Sequence, residues 1–137
     1  MEDVNTFDVK KALLLPLNSK KELFIQDRRG FKKPDWGFFG GGIEEGEAPL
    51  EAVIRETQEE LTLNLQESDL IYLGTSITAW DGVHIIRYLY LYLTEQVEFD
   101  VREGKGGHWL SFDEVRKRLE DPDRFDEIVD RIRQREV

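Results

Sequence analysis

Apolar residues near the start of the chain fall into short runs divided by polar residues, a pattern typical of paired strands. Two runs, Val9 to Leu17 and Glu22 to Gln26, are separated by a stretch beginning with Asn18, whose residues favour a hairpin turn. The next stretch, 27–42, mixes glycine, proline and basic residues. There we predict a loop interrupted by a short strand from Trp36 to Phe39.

The segment from Ala48 to Leu61 has the spacing of an amphipathic helix. Pro49 stands near its start, where the missing N–H of proline removes no helical hydrogen bond. The positions that recur about one turn apart are Leu50, Ile54, Thr57 and Leu61. We expect this stripe to face the core.

Two β-rich runs, Leu70 to Ala79 and His84 to Leu93, flank a Trp-Asp-Gly turn and predict a second hairpin. The second run is very aromatic, which suits a strand buried on most of its surface. A short run from His108 to Leu110 predicts a last strand.

Two helices are predicted at the end of the chain. Ser111 and Glu114 have the spacing of a capping box, for a helix that continues to about Leu119. Asp121 and Pro122 suit the cap and first position of the last helix. The predicted buried stripe of that helix is Phe125, Ile128, Val129 and Ile132. Strands interspersed with helices in this order predict an α/β/α sandwich with a mixed sheet.

Composition narrows the classes of partner. The 137 residues suffice for one domain, 1–137, with 39% apolar residues for its core. The formal net charge of -10 argues against a nucleic acid polymer as partner, since such binding neutralises many phosphates with basic residues. Cysteine is absent, and the apolar run Ala12 to Leu15 is too short for a signal or membrane segment. We therefore predict a cytoplasmic protein that does not bind membranes.

Acidic residues are concentrated in the first helix and the loop before it, which hold seven glutamates and one arginine. On a helix, Glu56, Glu59 and Glu60 fall within an arc of roughly 100°, away from the predicted apolar stripe. Like charges one turn apart destabilise a helix, and a hard divalent cation such as Mg²⁺ would offset their repulsion. The alternative is a solvated face on which Arg55 pairs with Glu51 or Glu59.

The order of these residues resembles the signature of the Nudix hydrolases over positions 41–63. Three successive glycines before the helix would let the backbone approach a ligand closely. The matching positions are Gly41, Glu47, Arg55, Glu56, Glu59, Glu60 and Leu63. Thr57 replaces an aliphatic residue, with its methyl group expected in the core. Thr62 replaces the closing glycine, which leaves the turn after the helix undefined.

The resemblance implies an enzyme that hydrolyses a nucleoside diphosphate linked to another moiety, by attack of water on phosphorus, and releases a nucleoside monophosphate. It implies Mg²⁺ as cofactor, with Mn²⁺ as the alternative. The implied metal ligands are Glu56, Glu59, Glu60 and the backbone carbonyl of Gly40. One of the glutamates would act as general base. Arg55 and Glu47 would orient the set, and Gly41 would shape the turn.

Later segments supply further candidate residues. Glu103 precedes a glycine and lies a few residues before Trp109, as in MutT-type members of the family, so the resemblance implies a metal ligand or base there. Arg28 ends a strand, and its guanidinium suits a diphosphate. His84 and Trp80 lie at the second hairpin and are predicted to contact the substrate, Trp80 by stacking. Ordinary loop or core roles stay open for these side chains.

The signature says little about the group attached to the diphosphate. The short chain favours a small nucleotide substrate, such as a nucleoside triphosphate or a nucleotide sugar. The stretch 122–129 has no asparagine, which lowers the case for an oxidised guanine nucleotide. The alternative function is a catalytically silent nucleotide sensor or interaction module, although such domains tend to have lost the signature glutamates. The sequence leaves open whether the chain forms a homodimer.

Overall fold

The computed structural model describes residues 7–135, except for the side chain of Trp80. The strands are β1 (Val9–Leu17), β2 (Glu22–Asp27), β3 (Trp36–Gly37), β4 (Phe39–Gly42), β5 (Leu70–Trp80), β6 (Val83–Leu93) and β7 (Gly107–Ser111). The α-helices are α1 (Pro49–Leu61), α2 (Phe112–Arg118) and α3 (Pro122–Arg135). None of these helices is long and apolar enough to cross a membrane.

The strands form one mixed sheet with β1 at its centre. Along its whole length β1 pairs in parallel with β6, from Val9 opposite Ile85 to Leu17 opposite Leu93. On its other edge β1 pairs antiparallel with β4 and, at Leu17, with β2. β2 also pairs with β3 and β7, and β5 with β6. β4 and β2 therefore share one edge of the central strand, and the candidate site forms where they meet.

Alternation of residues along β1 gives the sheet two apolar faces. Ala12 and Leu14 belong to a buried cluster that includes residues of α1. Leu13, Leu15 and Leu17 belong to a second buried cluster that includes residues of α2 and α3. Helices therefore cover both faces, which confirms the predicted α/β/α sandwich with a mixed sheet.

The predicted starts of the last two helices are confirmed by their capping hydrogen bonds. The Ser111 hydroxyl accepts a hydrogen bond from the Glu114 N–H at 3.2 Å. The Asp121 carboxylate accepts one from the Arg124 N–H at 3.1 Å. The predicted stripe of α3 is buried at every position: Phe125, Ile128, Val129 and Ile132.

The glycine stretch differs from the prediction. The sequence predicts one strand from Trp36 to Phe39, whereas the structure has two, and the second, β4, runs through the glycines and pairs with β1. A Cβ atom on Gly40, whose φ is +128°, would overlap the Ala12 carbonyl oxygen. Glycines have no apolar side chain, so the spacing of apolar residues cannot indicate a strand made of them. The sequence pattern therefore does not predict β4.

The orientation of α1 corrects a second expectation. The helical spacing predicts Glu60 on the side opposite the apolar stripe, yet Glu60 is only 5% exposed. The buried residues of α1 are Ala52, Val53, Thr57, Glu60 and Leu61. Leu50 and Ile54 are only partly buried. The helix packs on β4 and β1, and the lack of side chains on the glycines leaves room for its acidic side to turn inward.

Thr62 ends α1 in the left-handed conformation, with φ 58° and ψ 32°. The closing glycine of the family signature is suited to this conformation, which a β-branched residue adopts with strain. The Thr62 N–H still donates to the Gln58 carbonyl at 3.1 Å, and its hydroxyl lies 3.3 Å from the Asp100 carbonyl oxygen. The turn after the helix is therefore kept despite the substitution.

Replacing Thr57 by valine is expected to stabilise the protein. Thr57 is fully buried, and among the described residues its hydroxyl has no hydrogen-bond partner. Valine removes this hydroxyl at nearly constant volume, so the free energy of unfolding should rise by about 1 kcal/mol. Thermal denaturation of Thr57→Val should show a melting temperature roughly 2–4 °C above the wild type. Thr57→Ser, which keeps the hydroxyl and loses the methyl, should melt lower; a lower value for valine would contradict the argument.

Candidate active site

The glycines of β4 let the acidic side of α1 lie directly against the sheet. The Gly40 N–H donates a hydrogen bond of 2.7 Å to Glu60 Oε1. A Cβ on Gly41 would lie 2.7 Å from the Glu56 carboxylate, so this position has no room for a side chain. Two carboxylates of the predicted site therefore lie against β4: Glu60 accepts a hydrogen bond from its backbone, and Glu56 occupies the space that a side chain at Gly41 would fill.

Glu60 is the most buried of these carboxylates. Burial raises its pKa to about 8, although the Gly40 hydrogen bond opposes the change, and the neighbouring Glu103 and Glu56 carboxylates raise it further. The pKa of Glu56 is raised as well, chiefly by burial, against the lowering effect of Arg55. Glu56, Glu60 and Glu103 therefore form one electrostatically coupled cluster, which we call the acidic cluster.

Arg55 is held mainly by Glu47. Two hydrogen bonds, of 2.8 and 2.9 Å, join the Arg55 guanidinium to the Glu47 carboxylate, and a third, of 3.0 Å, reaches Glu56 Oε1. Arg55 lowers the pKa of Glu47 to about 2. Glu51 accepts from the Ala48 N–H instead of pairing with Arg55. The fully solvated acidic face considered from the sequence is therefore wrong for Glu56 and Glu60.

Glu59 lies at the margin of the group. Its side chain is 54% exposed, and Arg55 Nη1 lies 3.5 Å from Glu59 Oε2. Its charge contributes to the raised pKa of Glu56. The structure thus gathers two of the three predicted helix ligands tightly and leaves the third near the solvent.

The loop that carries Glu103 is tied down at both ends. The Arg102 N–H donates to the Glu60 carbonyl at 2.8 Å, and the Lys105 N–H donates to the Asp27 carbonyl at 2.9 Å. Gly104 adopts a φ of +69°, and a Cβ there would lie 2.5 Å from the Asp27 oxygen. These contacts hold the Glu103 carboxylate beside Glu60. Asp27 is not predicted from the sequence, since an aspartate at the end of a strand is common.

Arg28 lies within electrostatic range of the acidic cluster. Its guanidinium donates to Gln26 Oε1 at 2.9 Å and to the Phe38 carbonyl at 3.1 Å. Burial lowers its pKa, while Glu60 and Glu103 oppose that change. A pocket of about 420 Å³ has both Arg28 and Glu103 in its lining. The predicted basic group and the predicted metal ligand therefore face one space.

The remaining two predicted substrate contacts lie at the β5–β6 turn. The His84 N–H donates to Asp8 Oδ2 at 2.8 Å, and its imidazole Nδ1 lies 3.7 Å from the same oxygen. The imidazole is 57% exposed, and the structure does not place it in the pocket of Arg28 and Glu103. The Trp80 side chain lies outside the described part of the structure. Both substrate roles stay predictions.

The donor chemistry of the acidic cluster fits a hard divalent cation. The pKa values of Glu56 and Glu60 are both raised, and the nearby Arg55 is engaged mainly by Glu47. Oxygen ligands of this kind suit Mg²⁺ or Mn²⁺. Across residues 7–135, however, no three acidic or histidine side chains already converge as metal ligands do. The ligand chemistry is thus present, and binding would require side-chain rearrangement.

A larger cavity contains the predicted Arg28 together with three basic residues that are not predicted from the sequence. It measures about 590 Å³ and lies against the sheet face that α3 covers. Its basic lining residues are Lys11, Arg28, Arg87 and Arg124. Arg87 interrupts the apolar strand β6, a signal visible in the sequence, but the partner strand that brings Lys11 beside it is distant along the chain.

Comparisons with known proteins agree with this fold. A family model described as NUDIX domain matches residues 9–132, so the chain belongs to the Nudix family. Nudix hydrolases generally use a divalent metal. An RNA pyrophosphohydrolase of Francisella tularensis subsp. mediasiatica (strain FSC147) is 35% identical over 71 residues, 52% of this chain and 44% of the relative. The chain thus spans under half the length of that relative.

Two solved structures show the same fold. The MutT protein from Methanosarcina mazei Go1 superposes with a TM-score of 0.73 at 20% identity, over 93% of this chain and 96% of that one. The E. coli dihydroneopterin triphosphate pyrophosphohydrolase superposes with a TM-score of 0.71 at 17% identity, over 88% and 94%. At these identities the likeness concerns the fold.

Glu60 should make the stability of the metal-free protein depend on pH. Its folded pKa of about 8 exceeds the ordinary 4.5, so its stabilising contribution is complete below 4.5 and is lost as pH rises through about 8. In EDTA, the melting temperature should fall by several degrees between about pH 5 and about pH 9. Glu60→Gln should show a much smaller fall, with Glu56 supplying the remainder. Equal falls in both proteins would contradict the assigned pKa.

Proposed function

We propose that this protein is a Mg²⁺-dependent pyrophosphohydrolase, with Mn²⁺ as the alternative metal. Its substrate would be a nucleoside diphosphate linked to another moiety, and water attack on phosphorus would release a nucleoside monophosphate. The observation that carries the proposal is the acidic cluster of Glu56, Glu60 and Glu103, held beside the glycine strand. Family membership supports it.

The chain's own residues have separate tasks in this reaction. Glu56, Glu60 and Glu103 would hold the metal together with the Gly40 carbonyl, with Glu59 available at the exposed margin. A bound divalent cation would neutralise phosphate charge and lower the pKa of the attacking water. One carboxylate of the cluster would accept the proton of that water. Arg55, fixed by Glu47, would keep Glu56 oriented.

Arg28 would bind the diphosphate. Its hydrogen bonds to Gln26 and to the Phe38 carbonyl fix the guanidinium, so little side-chain freedom remains to be lost on binding. It faces the same pocket as Glu103. Phosphoryl transfer depends mainly on such positioning and on charge neutralisation.

The 5′ end of an RNA is a second candidate substrate. The Francisella relative is named an RNA pyrophosphohydrolase and is 35% identical over half of this chain. Against this candidate stands the net charge of -10, which disfavours contact with a polyanion beyond its terminal phosphates. A small nucleotide substrate is therefore the first choice, and a triphosphorylated RNA oligomer belongs among the substrates tested.

Chromatographic product analysis, with and without Mg²⁺, tests the proposal. The panel would contain nucleoside triphosphates, nucleotide sugars, ADP-ribose, dinucleoside polyphosphates and the RNA oligomer. We expect a metal-dependent nucleoside monophosphate from one class. Glu56→Gln and Glu60→Gln should each lower kcat at least about a hundredfold, because each removes a charged ligand of the metal.

Glu51→Gln is the matched control, because glutamine can still cap the Ala48 N–H and the side chain lies outside the acidic cluster. Its kcat should equal that of the wild type. Folded protein that binds a nucleotide without turning over any substrate would favour the sensor function instead. Turnover that persists in EDTA would contradict the metal-dependent mechanism.

A further inference from the structure

Four basic side chains of the larger cavity have no acidic partner among the described residues. Lys11, Arg28, Arg87 and Arg124 are all half-buried, and within residues 7–135 no carboxylate lies at ion-pair distance from any of them. Arg87 donates to the Thr78 hydroxyl at 2.9 Å, and the more distant Asp121 favours its charged form without an ion-pair contact among the described residues. Surface arginines of the same chain, such as Arg116, do form ion pairs.

Two of these cations are direct neighbours in the sheet. Lys11 of β1 stands opposite Arg87 of β6 in the parallel pair, and both line the cavity. Burial and the neighbouring cations lower the pKa of Lys11, and burial with Arg124 lowers the pKa of Arg87 to about 10. Like charges side by side in a half-buried position repel, and an anion between them would remove this repulsion.

The acidic lining of the cavity is small. Its two acidic lining residues, Glu120 and Asp121, are both exposed, and Asp121 uses one oxygen to cap α3. The chain has 29 acidic residues, so the lack of ion pairs at these four cations among the described residues does not come from a shortage of carboxylates. A purely structural set of basic side chains would be paired, as buried charges ordinarily are. The arrangement therefore favours an anion that comes from outside the chain.

We infer that the larger cavity binds a phosphate group of the substrate other than the diphosphate that is cleaved, through Lys11, Arg87 and Arg124. Guanidinium and ammonium groups together suit a dianionic phosphate. The volume of about 590 Å³ also holds the group to which that phosphate is attached. The inference deepens the proposed function and rests on it, because the ligand is a substrate only if the protein is the proposed hydrolase.

Arg28 connects the two sites. It lines both the larger cavity and the pocket that contains Glu103. A ligand whose diphosphate lies at the acidic cluster can therefore extend past Arg28 to the remaining three cations. The substrate class so defined is a nucleotide derivative with an additional phosphate at the end remote from the cleaved bond.

Calorimetric titration with inorganic pyrophosphate in EDTA tests the cavity without any turnover. In the absence of metal the acidic cluster repels anions, so binding should occur at the cations. The wild type and Glu60→Gln should bind equally well. Lys11→Met and Arg87→Gln should each weaken binding roughly tenfold, and added salt should weaken it in the wild type.

Two exposed cations give controls matched in charge. Lys20→Gln and Arg133→Gln should leave the affinity for pyrophosphate unchanged. Circular dichroism melts should show that Lys11→Met and Arg87→Gln fold, since each removes one member of a repelling pair. Absence of pyrophosphate binding, equal binding by the cavity variants, or loss of binding in Glu60→Gln alone would overturn the inference.

Kinetics on matched substrates tests the substrate class and distinguishes two sources of the phosphate. One pair is ADP-ribose and its 2′-phosphate, which differ by a phosphate ester; the other is diadenosine tri- and tetraphosphate, which differ in chain length. In one of the two pairs, the member with the additional phosphate should have a KM roughly tenfold lower than the other member. Arg87→Gln should abolish that difference. Equal KM values in both pairs would overturn the substrate class. If the wild type hydrolyses no substrate, the proposed function fails. The pyrophosphate titration then still shows whether the cavity binds a phosphate group.

Discussion

The hydrogen bond from the Gly40 N–H to the Glu60 carboxylate joins the sheet, the acidic helix and the loop of Glu103. It forms because neither Gly40 nor Gly41 carries a Cβ, so α1 can place its acidic side against β4. The backbone carbonyl of the same glutamate accepts from Arg102, which fixes the loop. A side chain at Gly41 would collide with the Glu56 carboxylate of α1, and one at Gly40 would collide with the backbone of β1. The first would push the helix from the strand, and the second would disturb the pairing that positions the strand.

This arrangement concentrates negative charge where water is scarce. Desolvation and mutual repulsion both disfavour ionised Glu60, and one backbone N–H offsets only part of this. Arg55 lies close by, but its two hydrogen bonds to Glu47 hold it at the edge of the cluster. Its third hydrogen bond reaches Glu56, so among the described residues Glu60 and Glu103 have no ion-pair partner of their own and are available to an external cation.

Local patterns predict most of the fold and the residues of the acidic cluster. The helical stripe of α3 and the cap at Ser111 depend on neighbours in sequence, and both are confirmed. The burial of Glu60 is not predictable in this way, because it depends on a glycine strand whose pairing leaves no trace in apolar spacing. Likewise, Lys11 and Arg87 meet only through the parallel pairing of β1 with β6, distant in sequence.

The acidic cluster and the basic cavity together favour one orientation of an extended ligand. Carboxylates gather at the glycine strand, cations without an ion pair in the described part of the chain line the opposite face of the sheet, and Arg28 lies between them. An extended anion that carries a metal ion at one end is attracted to both regions in one orientation only, because reversal would set its bare phosphates against the glutamates. In the proposed reaction, charge placement would thus select the bond that is cleaved as well as the ligand, even though the net charge of the chain is -10.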